Sequence, residues 1–551
     1  MQDNLHTIMR EVRTFVGFYG VTVDVETLDP RNVMNLLTKF ATLILSAAAL
    51  TACDSGGSND EAPPPQESGP PPRGTLVEDP PSRVDSLSVA QLAAELGATL
   101  EGQALLELTG QPACRVDVHQ LQYHTVAPGD EPTTASGALF VPAGVESQCR
   151  GERPILLYAH GTTTERAFDM TDIRNEDRIE AILMVATFAA HGYIVVAPNY
   201  VGYGGSTDYH PYLNADQSSK DMIDALTAAR SALPTTDAPT TRASDQLFVT
   251  GYSQGGHVAM ATHRALEAAG TPLTASAPMS GPYALAAFGD AVFYGQVNAS
   301  APLLLTMLMT GYQQAYGDIY STPTDAFEAQ YASGIESLLP STQRRSALFE
   351  QGLLPHDHLF SETPPDPAFA AYTPATEPDE LADVFALGFG PDHLITNSFR
   401  LAYLQDAQAN PDGGFPTTTD GLPADAPAHP LREAFKTNDL RDWTPTAPVF
   451  MCAGSEDPTV FYMNTQLMQG YWAESGAPVT VLDVDSDPVA DDPYEDLKDG
   501  FDAVKDLVAA EAVIGGADDG GDAAVQEIYH ATLVAPFCLA AVRSYFESLV
   551  P

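Results

Sequence analysis

Short apolar runs of the kind found in buried strands recur along the chain, and several are separated by segments with a helical repeat. The strand-like runs cover residues 154–159, 192–198, 247–250, 275–280, 447–452 and 478–482. Helical repeats cover residues 216–233 and 258–269, between successive strand-like runs. Strands that alternate with helices in this way predict a mostly parallel sheet covered on both faces.

The part of the chain that precedes these strands has its own pattern. Residues 84–108 predict a helix, with leucines at candidate apolar positions. Alternating apolar residues over 116–123 predict a first strand, and residues 137–142 predict its hairpin partner.

A long interruption separates the sixth predicted strand, 275–280, from the seventh, 447–452. It contains helical segments at 303–316 and 398–409. We therefore predict a mainly helical cap, residues 283–441, inserted between strands 6 and 7 of one core domain formed by residues 84–282 and 442–551. An insertion at this point is expected over the carboxyl ends of the strands. We interpret the apolar run at 303–305 as packing within the cap rather than as an acyl-binding surface.

The charge of the chain narrows the classes of function. Of 551 residues, 73 are Asp or Glu and 25 are Lys or Arg, which gives a net charge of −48. Nucleic-acid binding requires basic patches that neutralise phosphate, so we expect no nucleic-acid partner. We interpret the excess of acidic residues as a solvated acidic surface.

Residues 34–53 have the pattern of a bacterial lipoprotein signal peptide. Lys39 supplies one positive charge, residues 40–50 are apolar, and Leu50-Thr51-Ala52-Cys53 resembles a lipobox in which Cys53 is acylated. Residues 1–33 are then a mis-called N-terminal extension. The alternative to the signal peptide is a buried amphipathic helix over the apolar stretch of residues 34–53. Residues 54–83, rich in Pro, Gly, Ser and acidic residues, predict an extended linker. We expect a protein exported and lipid-anchored to the membrane of the bacterial cell envelope.

The strongest candidate chemistry lies in residues 246–270. Gly251-Tyr252-Ser253-Gln254-Gly255 matches G-x-S-x-G and stands between a predicted strand and a predicted helix. That context is the one a nucleophile elbow requires, because the tight turn strains the serine backbone and lifts its hydroxyl over the sheet. Glycines on either side lack a Cβ and let the helix pass close to the strand. We predict that Ser253 is a nucleophile rather than an ordinary turn serine.

A serine nucleophile needs a base to accept its proton and an acid to orient that base. In elbow hydrolases these follow in the order Ser, Asp or Glu, His. Asp457 follows the strand at 447–452 by a few residues, and His530 lies on a predicted loop just before the final helix. The alternatives are a loop-capping role for Asp457, with Glu456 as its competitor for the acid, and a helix-cap neighbour for His530.

Taken together, these motifs resemble the α/β-hydrolases, specifically the bacterial and fungal secretory lipase and carboxylesterase group. The resemblance covers about residues 110–551 and rests on four motifs, which are His160-Gly161-Thr162 after a strand, the elbow at Ser253, Gly454-x-x-Asp457-Pro458 and Tyr529-His530. The chain departs from the group in the long segment between its last strand and His530.

The resemblance implies an α/β-hydrolase fold and a role for each site residue. Ser253 is expected to be the nucleophile, His530 the general base and acid, and Asp457 the residue that orients it. The oxyanion hole is expected to use the backbone N–H of Gln254 and that of Gly161 or Thr162.

The cysteines agree with export. With Cys53 set aside as the lipidation site, four remain, and three pairings are possible. We favour Cys114 with Cys149, which ties the first hairpin, and Cys452 with Cys538, which pins the acid-bearing strand to the helix after the base.

Three further motifs suggest no cofactor or metal. Residues 202–206 lack the third glycine of a dinucleotide fingerprint. His356-Asp357-His358 has no evident third and fourth ligand. The acidic run at 483–487 has Pro488 where a calcium loop needs glycine, and we interpret it as a solvated turn.

The function predicted from the sequence is a serine carboxylesterase or lipase that cleaves a small-molecule or lipid ester through an acyl-enzyme, without a cofactor or metal. A serine peptidase of the prolyl-oligopeptidase type is the first alternative, because the same triad cleaves amides on the same fold. A non-catalytic binding lipoprotein on the same fold is the second.

Overall fold

The computed structural model describes residues 69–175, 179–236 and 240–550. The predicted extension at 1–33, the signal peptide with Cys53 and the first part of the predicted linker lie outside the described residues.

A nine-stranded sheet forms the centre of the described part of the chain. Its strands are β1 (Arg83–Leu87), β2 (Arg115–Val126), β3 (Pro132–Ala143), β4 (Gly151–Ala159), β5 (Ile194–Pro198), β6 (Thr241–Tyr252), β7 (Ala275–Met279), β8 (Val449–Ala453) and β9 (Val479–Asp483). Their spatial order is β1-β2-β3-β5-β4-β6-β7-β8-β9. The six strands from β5 to β9 in this order are parallel, and β1 to β3 are antiparallel. The predicted mostly parallel sheet is confirmed.

Burial explains why the central strands are continuous apolar runs. Every residue of β5, β7 and β8 is buried, because helices cover both faces of the sheet. The predicted hairpin is also confirmed, since β2 and β3 pair in one register from Arg115 opposite Ala143 to Val126 opposite Pro132.

The helices fall into three groups along the chain, two in the core domain and one in the cap. The first part of the core contains α1 (Val89–Gly97), α2 (Leu100–Thr109), α3 (Glu180–Thr187), α4 (Ala215–Ala232) and α5 (Gln254–Ala268). The cap contains α6 (Leu285–Phe293), α7 (Ala301–Tyr316), α8 (Pro323–Ala326), α9 (Ala329–Ala332), α10 (Arg345–Glu350), α11 (Ala382–Leu387), α12 (Asn397–Ala409) and α13 (Pro430–Asn438). The last part of the core contains α14 (Met463–Trp472), α15 (Glu495–Gly515), α16 (Asp522–Ile528) and α17 (Ala535–Leu549).

The single helix predicted over residues 84–108 is wrong at its start and in its continuity, because α1 ends at Gly97 and α2 begins at Leu100. Residues 83–87 pair with β2 as an edge strand, and the chain turns into α1 at Ser88. The Ser88 side chain accepts the N–H of Gln91 while the Gln91 side chain accepts the N–H of Ser88, a capping box that starts a helix at this point. Because this strand was missed, the cap lies between β7 and β8 rather than between strands 6 and 7, at the same place in the chain.

The predicted linker over residues 54–83 also differs from the structure at its end. The Arg73 guanidinium pairs with Asp224 on α4 at 2.9 Å. The N–H groups of Gly74 and Val77 donate to the carbonyl oxygens of His124 and Gln122, each at 2.8 Å. These contacts join Arg73 to α4 and residues 74–77 to the free side of β2, so the end of the predicted linker packs against the core domain.

The cap has its own hydrophobic core. Leu303, Leu305, Met307 and Met309 on α7 are buried in a cluster formed largely by cap residues. The apolar run at the start of α7 therefore packs within the cap, as predicted.

Two disulfides join the cysteines of the described chain. Cys114 is bonded to Cys149, and Cys452 at β8 is bonded to Cys538 on α17. Both are the predicted pairings. Disulfides persist in oxidising compartments, so the two bonds support a protein that works outside the cytoplasm.

Buried histidines link the stability of the fold to pH, and His257 on α5 is the clearest case. Its side chain is fully buried, with Nε2 donating to the carbonyl oxygen of Asn438 at 2.9 Å. Burial lowers the pKa of His257 to about 4. A histidine with a lowered folded pKa stabilises the fold above its unfolded pKa, near 6.5, and that contribution is lost as the pH falls toward 4.

We expect a measurable difference in pH dependence between the protein and the variant His257→Gln, in which the glutamine amide retains an N–H donor. Between pH 7 and pH 5 the free energy of unfolding of the unsubstituted protein should fall by about 2 kcal/mol more than that of the variant. Urea denaturation at the two pH values measures this. An equal fall in both proteins would show that His257 is protonated in the folded state.

Candidate active site

The nucleophile elbow lies between β6 and α5. Ser253 has φ 59° and ψ −121°, a conformation that non-glycine residues rarely adopt. A Cβ on Gly255 would lie 2.0 Å from the carbonyl oxygen of Ala159, so only glycine lets the first turn of α5 pass this close to β4. The half-buried Ser253 side chain stands at the carboxyl end of the parallel strands.

Three side chains from distant parts of the chain form a hydrogen-bonded line. The Oγ of Ser253 lies 2.9 Å from Nε2 of His530, and Nδ1 of His530 lies 2.6 Å from Oδ2 of Asp457. If Nδ1 carries the proton that it donates to the carboxylate, Nε2 is left to accept the proton of the Ser253 hydroxyl. The structure thus brings together the three residues singled out in the sequence.

Burial and hydrogen bonds fix the position of the Asp457 carboxylate. The Asp457 side chain is fully buried, and its second oxygen, Oδ1, accepts the N–H of Thr459 at 2.9 Å and of Val460 at 3.0 Å. The competing carboxylate of Glu456 is half exposed and pairs instead with Lys505 at 2.7 Å. The geometry therefore favours Asp457 over Glu456 as the partner of His530.

His530 does not lie on a loop, as the sequence suggested, but in a π-helical turn, Tyr529–Val534, between α16 and α17. Such turns widen a helix by one residue and are frequent at functional sites. The backbone carbonyl of His530 accepts a hydrogen bond from the hydroxyl of Tyr252, the residue just before Ser253. This hydrogen bond joins the π-helical turn that bears His530 directly to the nucleophile elbow.

The π-helical turn that bears His530 is also hydrogen-bonded to the loop that bears Asp457. The hydroxyl of Tyr529 donates to Asp485 and accepts the N–H of Glu456 at 3.2 Å. The side chain of Asp485, which is only 3% exposed, pairs with Lys505 on α15 at 2.7 Å. The prediction of a solvated turn over residues 483–487 is therefore wrong at Asp485. The sequence carried no signal for this role, because the partners of Asp485 are 20 and 44 residues away.

Among the predicted oxyanion donors, the backbone N–H of Gly161 already has an acceptor. Its N–H donates to the two carboxylate oxygens of Glu180 on α3, at 3.0 and 3.2 Å. The N–H groups of Thr162 and Gln254, by contrast, have no hydrogen-bond acceptor among the described residues. Gln254 is the first residue of α5, where backbone N–H groups are unpaired and the helix dipole favours negative charge.

The cap is hydrogen-bonded to the core on both sides of this site. Ser341 of the cap donates its N–H to the carbonyl oxygen of Thr164 at 2.6 Å and accepts the N–H of Arg166 at 2.8 Å. On the other side, the N–H of Ala299 donates to the carbonyl oxygen of Pro458, next to the acid, at 2.9 Å. The segments after Thr162 and after Asp457 are thus both joined to the cap.

The other candidate ligands do not assemble into a site. His356 and Asp357 form an exposed pair on the cap, with 2.9 Å between Nδ1 and Oδ1. Within the described ranges no group of three or more His, Cys, Asp or Glu side chains is arranged to hold a metal ion.

Comparisons with known proteins bear on the fold and the reaction class. No protein-family model and no curated protein matches the sequence. Among solved structures, the rice cell wall degrading esterase LipA from Xanthomonas oryzae is 29% identical over 75% of this chain and 91% of its own, with a TM-score of 0.58. A ligand-bound form of the same esterase is 26% identical over 87% of this chain and 100% of its own, with a TM-score of 0.61.

A protein from Legionella pneumophila is 19% identical over 86% of this chain and 98% of its own, with a TM-score of 0.57, a likeness that bears on the fold alone. The mostly parallel sheet with its flanking helices and these likenesses show that the chain has the α/β-hydrolase fold, and the esterase likenesses support a hydrolase that acts on esters.

Proposed function

We propose that the protein is a serine hydrolase that cleaves carboxylic esters through a Ser253-His530-Asp457 triad and an acyl-enzyme. The observation that carries the proposal is the unbroken line of hydrogen bonds from the Ser253 hydroxyl to the Asp457 carboxylate. A strained serine at an elbow, a base within reach and a buried carboxylate behind it are the parts that nucleophilic acyl transfer requires.

In the first half of the reaction, His530 accepts the hydroxyl proton through Nε2 as Oγ of Ser253 attacks the ester carbonyl carbon. Asp457 holds the ring with Nδ1–H directed at the carboxylate and stabilises the imidazolium that forms. The proton then passes from Nε2 to the departing alcohol, and the acyl group remains on Ser253. In the second half, water gives a proton to Nε2 of His530 as its oxygen attacks the acyl carbonyl carbon. His530 then returns that proton to Oγ of Ser253 as the acyl–Oγ bond breaks, which releases the acid and restores the serine.

The negative oxygen of each tetrahedral intermediate needs donors at the elbow. We assign this role to the backbone N–H groups of Thr162 and Gln254, because neither has another acceptor in the described chain while that of Gly161 is held by Glu180. One such donor contributes about 3 kcal/mol to stabilisation of the transition state.

The experiment that tests the proposal is hydrolysis of p-nitrophenyl esters of increasing acyl length, with Ser253→Ala as the blank. We expect turnover on at least one ester and its loss in the variant. The optimal chain length distinguishes a short-chain esterase from a lipase. Folded protein that cleaves dipeptide anilides but no ester would contradict the proposal in favour of a peptidase, and inertness on both would favour a binding protein.

We also propose that the protein is exported and anchored to the cell envelope through a lipid on Cys53. The lipobox-like Leu50-Thr51-Ala52-Cys53 and the two disulfides support this. Cells grown with an alkyne-tagged fatty acid should yield labelled protein in the membrane fraction, and Cys53→Ser should abolish the label. Labelling that survives in the variant, or a recovered peptide from residues 1–33, would contradict the proposal.

A further inference from the structure

Two residues of one loop hold the two residues proposed as oxyanion donors. The hydroxyl of Tyr212 lies 2.9 Å from Oγ1 of Thr162. Nε2 of His210 lies 2.7 Å from the side-chain nitrogen of Gln254. Thr162 follows β4 and Gln254 follows β6, so His210 and Tyr212, only two positions apart, connect the two sides of the proposed oxyanion hole.

The state of His210 follows from its partners. Its Nδ1 lies 3.1 Å from the carbonyl oxygen of Val201, which can only accept, so Nδ1 carries the proton. Nε2 is then an acceptor and takes an N–H of the Gln254 amide. Burial lowers the pKa of His210 to about 3. The ring is therefore neutral, with one fixed tautomer, over the pH range in which a serine hydrolase operates.

The loop that carries these two residues is closely packed. His210 and Tyr212 are both buried, Pro211 separates them, and the N–H of Tyr212 donates to the carbonyl oxygen of His210 at 2.9 Å. Gly202 has φ +98°, and a Cβ there would lie 2.7 Å from the backbone nitrogen of His210. Gly202, the first glycine of the run at 202–206, thus lets the loop fold back onto His210.

Two more tyrosines of the loop bond the backbone on either side of Thr162. The hydroxyl of Tyr200 donates to the carbonyl oxygen of His160 at 3.0 Å, and that of Tyr203 donates to the carbonyl oxygen of Thr163 at 2.6 Å. The stretch from His160 to Thr163 is therefore held by three phenolic hydroxyls from residues 200–212.

We propose that residues 200–212 are a positioning element that sets the separation of the Thr162 and Gln254 N–H groups. Tyr212 is its contact to the side chain of Thr162, and His210 is its contact to the side chain of Gln254. The inference rests on the proposed function, since it concerns the hole for the oxyanion of ester hydrolysis. Donors contribute to the rate only when they are fixed where the charge develops, and an error of a fraction of an ångström weakens them.

The test is Tyr212→Phe, which removes one hydroxyl and leaves the ring. With a p-nitrophenyl ester we expect kcat to fall about tenfold with KM changed less than about twofold, because the donors act on the transition state. The affinity for an alkyl trifluoromethyl ketone, which forms a tetrahedral adduct with an active serine, should fall by the same factor. Tyr193→Phe is the matched control, because Tyr193 is buried and its hydroxyl has no partner in the described chain. We expect it to leave kcat unchanged.

Thr162→Val removes the other end of the same hydrogen bond and keeps the backbone N–H. It should lower kcat as Tyr212→Phe does, and adding Tyr212→Phe to it should cause no further loss. This variant carries the test if Tyr212→Phe does not fold. Losses that multiply in the double variant, or a Tyr212→Phe no slower than Tyr193→Phe, would overturn the inference. A Ser253→Ala variant that retained about a tenth of the rate or more would overturn the proposed function instead, so the two failures are distinguishable.

Discussion

Replacing Ser253 with alanine is expected to lower kcat for ester hydrolysis by about 10⁶-fold, the size of loss found when a serine protease loses its nucleophile. Without Oγ no acyl-enzyme forms, and His530 has no hydroxyl to deprotonate at 2.9 Å. A residual rate is expected, because the backbone donors of Thr162 and Gln254 remain in place and still stabilise a tetrahedral intermediate formed by water.

The measurement is initial rate on the best p-nitrophenyl ester, with thermal unfolding of both proteins as the control for folding. The variant should unfold at the same temperature or above it, because alanine removes only one hydroxyl from a strained position. A fluorophosphonate probe should label the unsubstituted protein and not the variant. A variant that retained a tenth of the rate would show that another group attacks the ester.

The second large effect is expected for Asp457→Asn, which should lower kcat by about 10⁴-fold. The asparagine amide can donate an N–H to Nδ1 of His530. The imidazole then adopts the other tautomer, with its proton on Nε2, which faces Ser253. Nε2 would carry a proton and could not accept the one from Oγ. The fall in kcat is therefore caused by the wrong tautomer of His530. The hydrogen bonds that Oδ1 accepts from the N–H groups of Thr459 and Val460 can persist.

Glu456→Gln is the matched control, because it makes the same chemical change one residue earlier. Glu456 is half exposed and pairs with Lys505, and exposed ion pairs contribute about 1 kcal/mol or less. We expect the kcat of Glu456→Gln to stay within about threefold of that of the unsubstituted protein. Loss of the Glu456–Lys505 ion pair lowers local stability by about 1 kcal/mol or less and does not change the tautomer of His530. Equal losses in the two variants, or a larger loss in Glu456→Gln, would reassign the acid.

Much of the core could be read from the sequence because its determinants are local. The run 247–250, the glycines around Ser253 and the helical repeat after them specify a strand, a tight turn and a helix through their own conformational preferences. The same holds for the hairpin of β2 and β3, whose alternating apolar residues lie on both strands. The disulfide pairings could be chosen from three possible combinations because each favoured bond joins elements already predicted, the hairpin in one case and a core strand with the final helix in the other.

The features that the sequence left open depend on residues far away in the chain. Asp457 and Glu456 are adjacent and chemically alike, and they differ because one points toward His530 and the other toward Lys505. Gly161 and Thr162 differ because Glu180, from a separate helix, accepts one of the two N–H groups. No local preference distinguishes the members of either pair.

The predictions that failed have the same cause. Residues 83–87 have no strong strand pattern, and they form an edge strand because β2 offers its free side. The sequence around Asp485 predicts a polar turn, yet the Asp485 side chain is buried and pairs with Lys505 and Tyr529, which the fold brings to it. Order along the chain and local conformation thus follow from neighbouring residues. The partner of each polar group follows instead from the packing of distant elements, since most buried donors and acceptors pair with a group that the fold places beside them.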